Sequence, residues 1–286
     1  MIAEAPEEQY SELCGALGLS EVPTSAQYSD LFLFQLYPYA SVHVGPEGMM
    51  GGEARDRVGG FWHALGFTPP AEPDHLAALL GLYATLADRE ASLTGAERSL
   101  TFESRRALLE EHLAPWVFAF LGRISDLTSG AYAEWAELLD DVLREELLSV
   151  REDAGGSGLA LHLREAPELP DPRRAGSEAF LAGLLAPVRS GMVLTRADLA
   201  RVAGGLDVGL RAGERRYALE HMLAQDASGT LAALGEEARR QGSCHEERVV
   251  WLGSAASFAA KRCSTAASLL VELAHTGAGA AGAPVT

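Results

Sequence analysis

The chain has 286 residues, 48% of them hydrophobic, enough to bury a full core in one large domain or two modest ones, so wholesale disorder is excluded. Its formal net charge is −17, and residues 1–54 carry no Lys or Arg beside Glu4, Glu7, Glu8, Glu12, Glu21, Asp30, Glu47 and Glu53. Such a surface serves solubility, repels nucleic-acid phosphates and anionic lipid heads, and attracts basic peptides.

Alanine and leucine dominate and β-branched residues are sparse, which favours helix over sheet. Thr24 and Gln27 stand at capping-box spacing before an early helix marked by Tyr28, Leu31, Phe32, Leu36 and Tyr39. Gly45, Gly48, Gly51 and Gly52 follow; with no strand before them they read as a flexible connection rather than a phosphate cradle. Val58, Phe61, Trp62 and Leu65 mark the next helix. After the turn Glu72-Pro73-Asp74-His75, Leu76, Leu79, Leu80, Tyr83 and Leu86 mark another. Leu108, Leu109, His112, Leu113, Trp116, Val117, Phe120 and Leu121 form one continuous apolar face, which Pro115 should kink or split. Trp135, Leu138, Leu139, Val142 and Leu143 lie opposite Glu134, Glu137, Asp141 and Glu145.

The density of turn formers in residues 152–176 predicts a linker between a helical domain at 1–151 and a second at 177–275. In the second, Phe180, Leu181, Leu184, Leu185 and Val188 form a stripe, and Thr195 and Asp198 make another capping box. One long helix is expected from about His245 to His275, and residues 276–286 should be a mobile tail. No strand alternation and no fixed-period repeat is visible, so the fold class is all-α.

Several chemistries lack their residues. Lys261 is the single lysine and no G-x-x-x-x-G-K-[ST] occurs, which removes the usual P-loop. No G-x-S-x-G elbow and no H-E-x-x-H pair is present, and Cys244 beside His245 is too little for zinc. The expectation is a non-enzyme with no metal and no cofactor. Arg196, Arg201, Arg211, Arg215 and Arg216 invite a helix-turn-helix reading, but Asp198, Asp207 and Glu214 dilute the basic face, so no nucleic-acid partner is expected. The cysteines, Cys14, Cys244 and Cys263, are odd in number and contain no C-x-x-C. With no basic-apolar leader and no run long enough to span a bilayer, they predict a cytoplasmic protein without stable membrane insertion.

The acidic turn is the most informative stretch, placing an acid, a rigid turn and an imidazole at the mouth of a helix. Asp74 has two readings that do not exclude each other: an acceptor for a partner's arginine, or the N-cap of a helix beginning at His75. Pro73 fixes the turn. His75 feels the helix dipole in one sense and Glu72 and Asp74 in the other. Glu72 is the best single candidate for arginine contact. His112 reads as a satisfied core histidine.

Three segments recur in order: Tyr28-Ser29-Asp30-Leu31-Phe32 with Tyr37-Pro38; Glu72-Pro73-Asp74-His75-Leu76; and Leu109-Glu110-Glu111-His112-Leu113-Ala114-Pro115-Trp116. Over about residues 25–150 their order and spacing resemble the TorD/DmsD/NarJ family of molybdoenzyme maturation chaperones. The resemblance implies a TorD-like helical bundle with an additional C-terminal helical portion. It also implies a protein that performs no covalent chemistry. Such a protein binds the leader (twin-arginine signal) peptide or N-terminal segment of a molybdenum-cofactor oxidoreductase subunit and holds it until cofactor insertion. It acts as a monomer or a helix-exchanged dimer. On this reading Glu72, Pro73, Asp74, His75 and Leu76 bind the peptide, and Tyr37, Trp62, Tyr83, His112 and Trp116 are candidates to line a groove. The physical complement agrees, since carboxylates suit guanidinium and apolar surface suits the hydrophobic stretch. The alternative is a helical protein-protein adaptor without leader specificity.

Overall fold

A computed structural model of the chain describes residues 7–154, 158–211 and 213–281. Helices are the main element of these residues, and among them the only β-type pairing is an isolated antiparallel bridge between Tyr39 and His75. The chain forms two compact units, Met1–Val42 with Met50–Leu161, and His43–Met49 with His162–Thr286.

The first unit uses α1 (Glu7–Ala16), α2 (Ser25–Tyr28), α3 (Ala40–Val44, whose last residues belong to the second unit), α4 (Gly52–Ala64), α5 (Leu76–Ser92), α6 (Gly95–Ala107), α7 (Val117–Leu127) and α8 (Ala131–Ala154). Thr24 and Gln27 do form the capping box that opens α2. The early helix is shorter than its apolar spacing predicts: α2 passes into a π-helical turn at Ser29–Leu33 and stops, so Leu36 is buried by the loop and Tyr39 sits in the bridge. Pro115 splits its segment as expected. A second π-helical turn, Leu108–Leu113, ends with Ala114 N–H donating to Leu109 O at 2.7 Å, and α7 restarts after Trp116. Proline has no N–H to continue the ladder, and the wider turn keeps Leu108, Leu109 and Leu113 buried across the break. Phe118, Phe120, Leu121 and Ile124 of α7 complete the core, with Phe32 stacked 6.2 Å from Phe120 and edge-on to Tyr132 at 5.1 Å. On α8 the buried face runs through Tyr132, Ala136, Leu143, Leu147 and Val150, whereas Leu138 and Val142 of the expected stripe face solvent.

The second unit contains α9 (Leu161–Arg164), α10 (Pro172–Leu184), α11 (Pro187–Ser190), α12 (Arg196–Leu206), α13 (Arg215–Gln225), α14 (Ala227–Leu252) and α15 (Ser254–Ala281). The 152–176 stretch is thus more than a connection. It holds α9 and the start of α10, where Asp171 caps and Pro172 occupies the first turn, and it buries Leu163 and Leu169. The single long helix expected at 245–275 is two helices, parted at Gly253, whose φ of 69° ends α14. They pack antiparallel: Ser228 Oγ donates to Ala274 O at 2.9 Å near one end, and a Cβ on Gly242 would lie 3.2 Å from that of Cys263 further along. Helix α15 runs to Ala281, so most of the expected tail's start is helical, and residues 282–286 lie outside the described residues. Gly48 is not part of a flexible connection. Its φ is 63°, and a Cβ there would come 2.8 Å from Ala186 Cα, so only glycine lets the 43–49 segment pack in this unit.

Candidate peptide-binding site

The acidic turn is fixed from two sides. On one, it pairs with the segment before α3: Leu76 N–H donates to Pro38 O at 2.8 Å and Ala40 N–H to Asp74 O at 3.0 Å. Asp74 then reaches across, its Oδ2 accepting from Ser41 N–H at 3.0 Å. Asp74 is therefore a cap, but of α3 and not of the helix that follows it in sequence; it is 1% exposed. The helix that follows starts one residue later than expected. His75 is its N-cap, with Nδ1 accepting from Ala77 N–H at 3.1 Å. An Nδ1 that accepts must be unprotonated, and burial lowers the His75 pKa against the opposing pull of Glu72 and Asp74.

On the other side stands α4. Arg55 Nη2 donates to Ala71 O at 3.0 Å and Trp62 Nε1 to Pro73 O at 3.3 Å. The Trp62 ring meets Phe67 edge-on at 6.1 Å, and Arg89 lies over Phe67 at 4.4 Å. Pro73 and Leu76 are buried by this bracing.

Of the five turn residues assigned to peptide contact, Glu72 is exposed, His75 is half-buried, and Pro73, Asp74 and Leu76 are inside. The Tyr39 hydroxyl pKa is pushed up to about 12, chiefly by burial and further by the neighbouring Glu72 carboxylate. Tyr39 also packs edge-on to His75 at 4.9 Å. The accessible feature is one carboxylate on a rigid corner, flanked by half-buried Tyr39 and Trp62.

The candidate groove residues differ in burial and in the contacts they make. Tyr37 and Trp62 are half-buried. Tyr83 is inside an ion network, donating to Glu146 at 2.7 Å and accepting from Arg105 at 2.7 Å, with Arg105 also bonded to Glu90 at 2.8 Å. Burial and the Glu146 bond raise its pKa. Trp116 is 2% exposed, its Nε1 donating to His112 O at 2.8 Å. The His112 ring packs 4.7 Å from Phe61 and is pushed down to about 4 by burial and by Arg57.

Sequence reasoning passed over a polar ladder in the second unit. Glu237, Gln241 and His245 recur every four residues on α14 and are buried. Gln241 Oε1 accepts from Val193 N–H at 2.9 Å, and His245 Nε2 lies 3.2 Å from Gly191 O. Glu237 accepts from Gln241 at 2.6 Å, Arg201 at 2.7 Å and Arg240 at 2.7 Å, which hold it down at about 2 despite burial. The i, i+4, i+8 spacing of three polar residues on an otherwise apolar helix face was the available signal. This ladder engages Arg201, while Arg215 donates to Leu194 O and Arg216 pairs with Glu220 and Glu178. These three arginines of the suspected helix-turn-helix are used inside the unit.

Among the described residues no group of three or more His, Cys, Asp or Glu could hold a metal ion, and no helix is long and apolar enough to cross a membrane. The motifs of residues 28–38, 72–76 and 109–116 all lie in the first unit. Residues 3–122 match the nitrate reductase delta subunit family. The resemblance to TorD/DmsD/NarJ-type chaperones is borne out over the part of 25–150 that this match covers. The nitrate reductase delta match takes in the acidic turn and α4 and ends within α7, leaving α8 and almost all of the second unit beyond it. No curated protein and no solved structure matches the chain.

Proposed function

We propose that this protein is a cytoplasmic maturation chaperone that performs no covalent chemistry. It binds the basic-apolar leader or N-terminal segment of a molybdenum-cofactor oxidoreductase subunit, of which nitrate reductase is the type suggested by the family match. The observation that carries this reading is Glu72, an exposed carboxylate on a corner whose backbone is clamped to residues 38–41 and braced by Arg55 and Trp62. A preorganised carboxylate loses little freedom when it accepts a guanidinium, and a net charge of −17 speeds the approach of a cationic segment. Tyr39 and Trp62 supply adjoining apolar surface.

The test is calorimetry with a synthetic leader peptide bearing paired arginines before an apolar stretch. Removing one charge-assisted contact costs about 1.5–3 kcal/mol, so Glu72→Ala should weaken binding at least tenfold. Binding should also weaken as salt rises. Affinity unchanged by Glu72→Ala removes this site. The burial of Asp74 favours a second reading, an adaptor without leader specificity. That reading predicts equal binding of the peptide and of a version with both arginines replaced by alanine.

A further inference from the structure

Helix α4 has a second face that carries charge. Arg55, Gly59 and Trp62 follow one another on the side that holds the acidic turn, while Glu53, Arg57 and Phe61 follow at four-residue intervals on the other side. Arg57 is half-buried there. Its Nε is shut off from solvent and finds no hydrogen-bond partner among the described residues. Glu53 and Glu111 are near enough to act on its charge, yet burial dominates and lowers its pKa. Neither carboxylate closes the pair: Glu53 is exposed, and Glu111 Oε2 instead accepts from Leu161 N–H at 2.9 Å. In a chain of 40 acidic residues, a partly desolvated arginine with no carboxylate bonded to it among the described residues is costly and calls for an explanation.

Its surroundings resemble a receptor more than a packing fault. His112, close enough that Arg57 lowers its pKa, stays neutral at pH 7 and so offers one ring N–H. Phe61 packs 4.7 Å from that imidazole and gives the place an apolar wall. The Nη nitrogens of Arg57 are not sealed off as its Nε is, and no hydrogen bond from them is found among the described residues. We propose that Arg57, His112 and Phe61 form an acceptor site for a carboxylate group, with the Arg57 fork as bidentate donor, His112 as second donor and Phe61 as wall. Glu53 and Glu111 favour a monoanion over a dianion such as phosphate. The shared chemistry can come from a free small acid or from a Glu or Asp side chain of a bound peptide. This site lies on the opposite face of α4 from Glu72 and stands independently of leader binding.

The experiment follows the Arg57 guanidinium by nitrogen-15 NMR in the full-length protein, titrating sodium acetate in one arm and N-acetyl-glutamate amide in the other, against sodium chloride at equal ionic strength. A saturable Arg57 shift with either carboxylate and none with chloride is the expected result. The tighter of the two identifies the source, free acid or peptide side chain. Arg57→Lys keeps the charge and loses the fork, so fluorescence-detected or calorimetric affinity for the same probe should fall at least tenfold. His112→Phe keeps a ring against Phe61, loses the N–H, and should weaken binding severalfold. Shifts no different from those in chloride, or affinity untouched by Arg57→Lys, overturn the proposal.

Discussion

Both units fix an irregular segment with buried polar groups, but they do it from opposite kinds of structure. In the first unit a turn grips a loop: residues 72–76 hold residues 38–41 through two backbone bonds and the Asp74 carboxylate. In the second a long helix grips a loop: Glu237, Gln241 and His245 of α14 hold residues 191–193 and Arg201. Polar residues that look functional in sequence divide by burial. Those sealed against backbone amides are framework, and Glu72 in the first unit is left exposed to solvent.

The sharpest way to break this comparison is Glu237→Ala. It removes one acceptor from three donors and leaves Gln241 half-satisfied inside the core. Arg201 and Arg240 are themselves largely exposed, so the loss is mainly that of one buried charged acceptor and its bonds, about 3 kcal/mol, which denaturant titration should show as a shift in the second unit's transition. Glu237 also sets a pH limit. Its pKa falls from an ordinary 4.5 to about 2, so its contribution is complete above 4.5 and is lost as pH falls toward 2.

Asp74→Ala comes next, at about 2–3 kcal/mol, because Ser41 N–H is left buried without an acceptor. Asp74→Asn keeps an acceptor oxygen of the same shape and should recover most of that loss. Thermal melts of the pair separate geometry from charge: if Asn is as damaging as Ala, the carboxylate's charge matters and the framework reading of Asp74 is wrong. This residue also shows what was legible. The turn itself, with Pro73 at its centre and a helix directly behind, follows from local sequence. That Asp74 caps α3, 33 positions back, depends on a long-range pairing that no local spacing encodes. The same limit hid the Gly253 break, since one glycine amid alanine and leucine carries little helix penalty until a tertiary hairpin selects its positive φ. It hid the 43–49 segment's place in the second unit too, since Gly48 reveals its close approach to Ala186 only in three dimensions. By contrast, the capping boxes at Thr24 and Thr195 and the split at Pro115 are local chemistry, and they appear where the sequence puts them.

Each unit also holds a histidine kept neutral largely by burial, His112 in the first and His245 in the second, which gives a matched test. His112 and His245 both fall from an ordinary 6.5 to about 4, chiefly through burial. Below pH 6.5 the unfolded chain takes up protons that the folded chain refuses until about pH 4, so stability is full above 6.5 and declines across that window. At pH 5 the expected loss is about 2 kcal/mol per histidine. Denaturation at pH 7 and pH 5 should show this decline, and His112→Phe should remove only the first unit's share. A decline that persists undiminished in that variant would place the titration elsewhere.

The smallest effect on stability is expected where the effect on binding is greatest. Glu72 is exposed, and its carboxylate lies near enough to the Tyr39 hydroxyl to raise its pKa. Glu72→Ala should change stability by less than about 0.5 kcal/mol, the ordinary range for surface positions. With that carboxylate gone, the Tyr39 hydroxyl should titrate below its present value of about 12, because part of the elevation came from a neighbouring negative charge. Ultraviolet titration of tyrosinate reads that change directly. A fold left intact, a Tyr39 hydroxyl released and a leader peptide no longer held would together separate the reachable acid from the buried one. Destabilisation equal to that of Asp74→Ala would instead make Glu72 part of the same clamp, and the distinction between framework and contact on this corner would collapse.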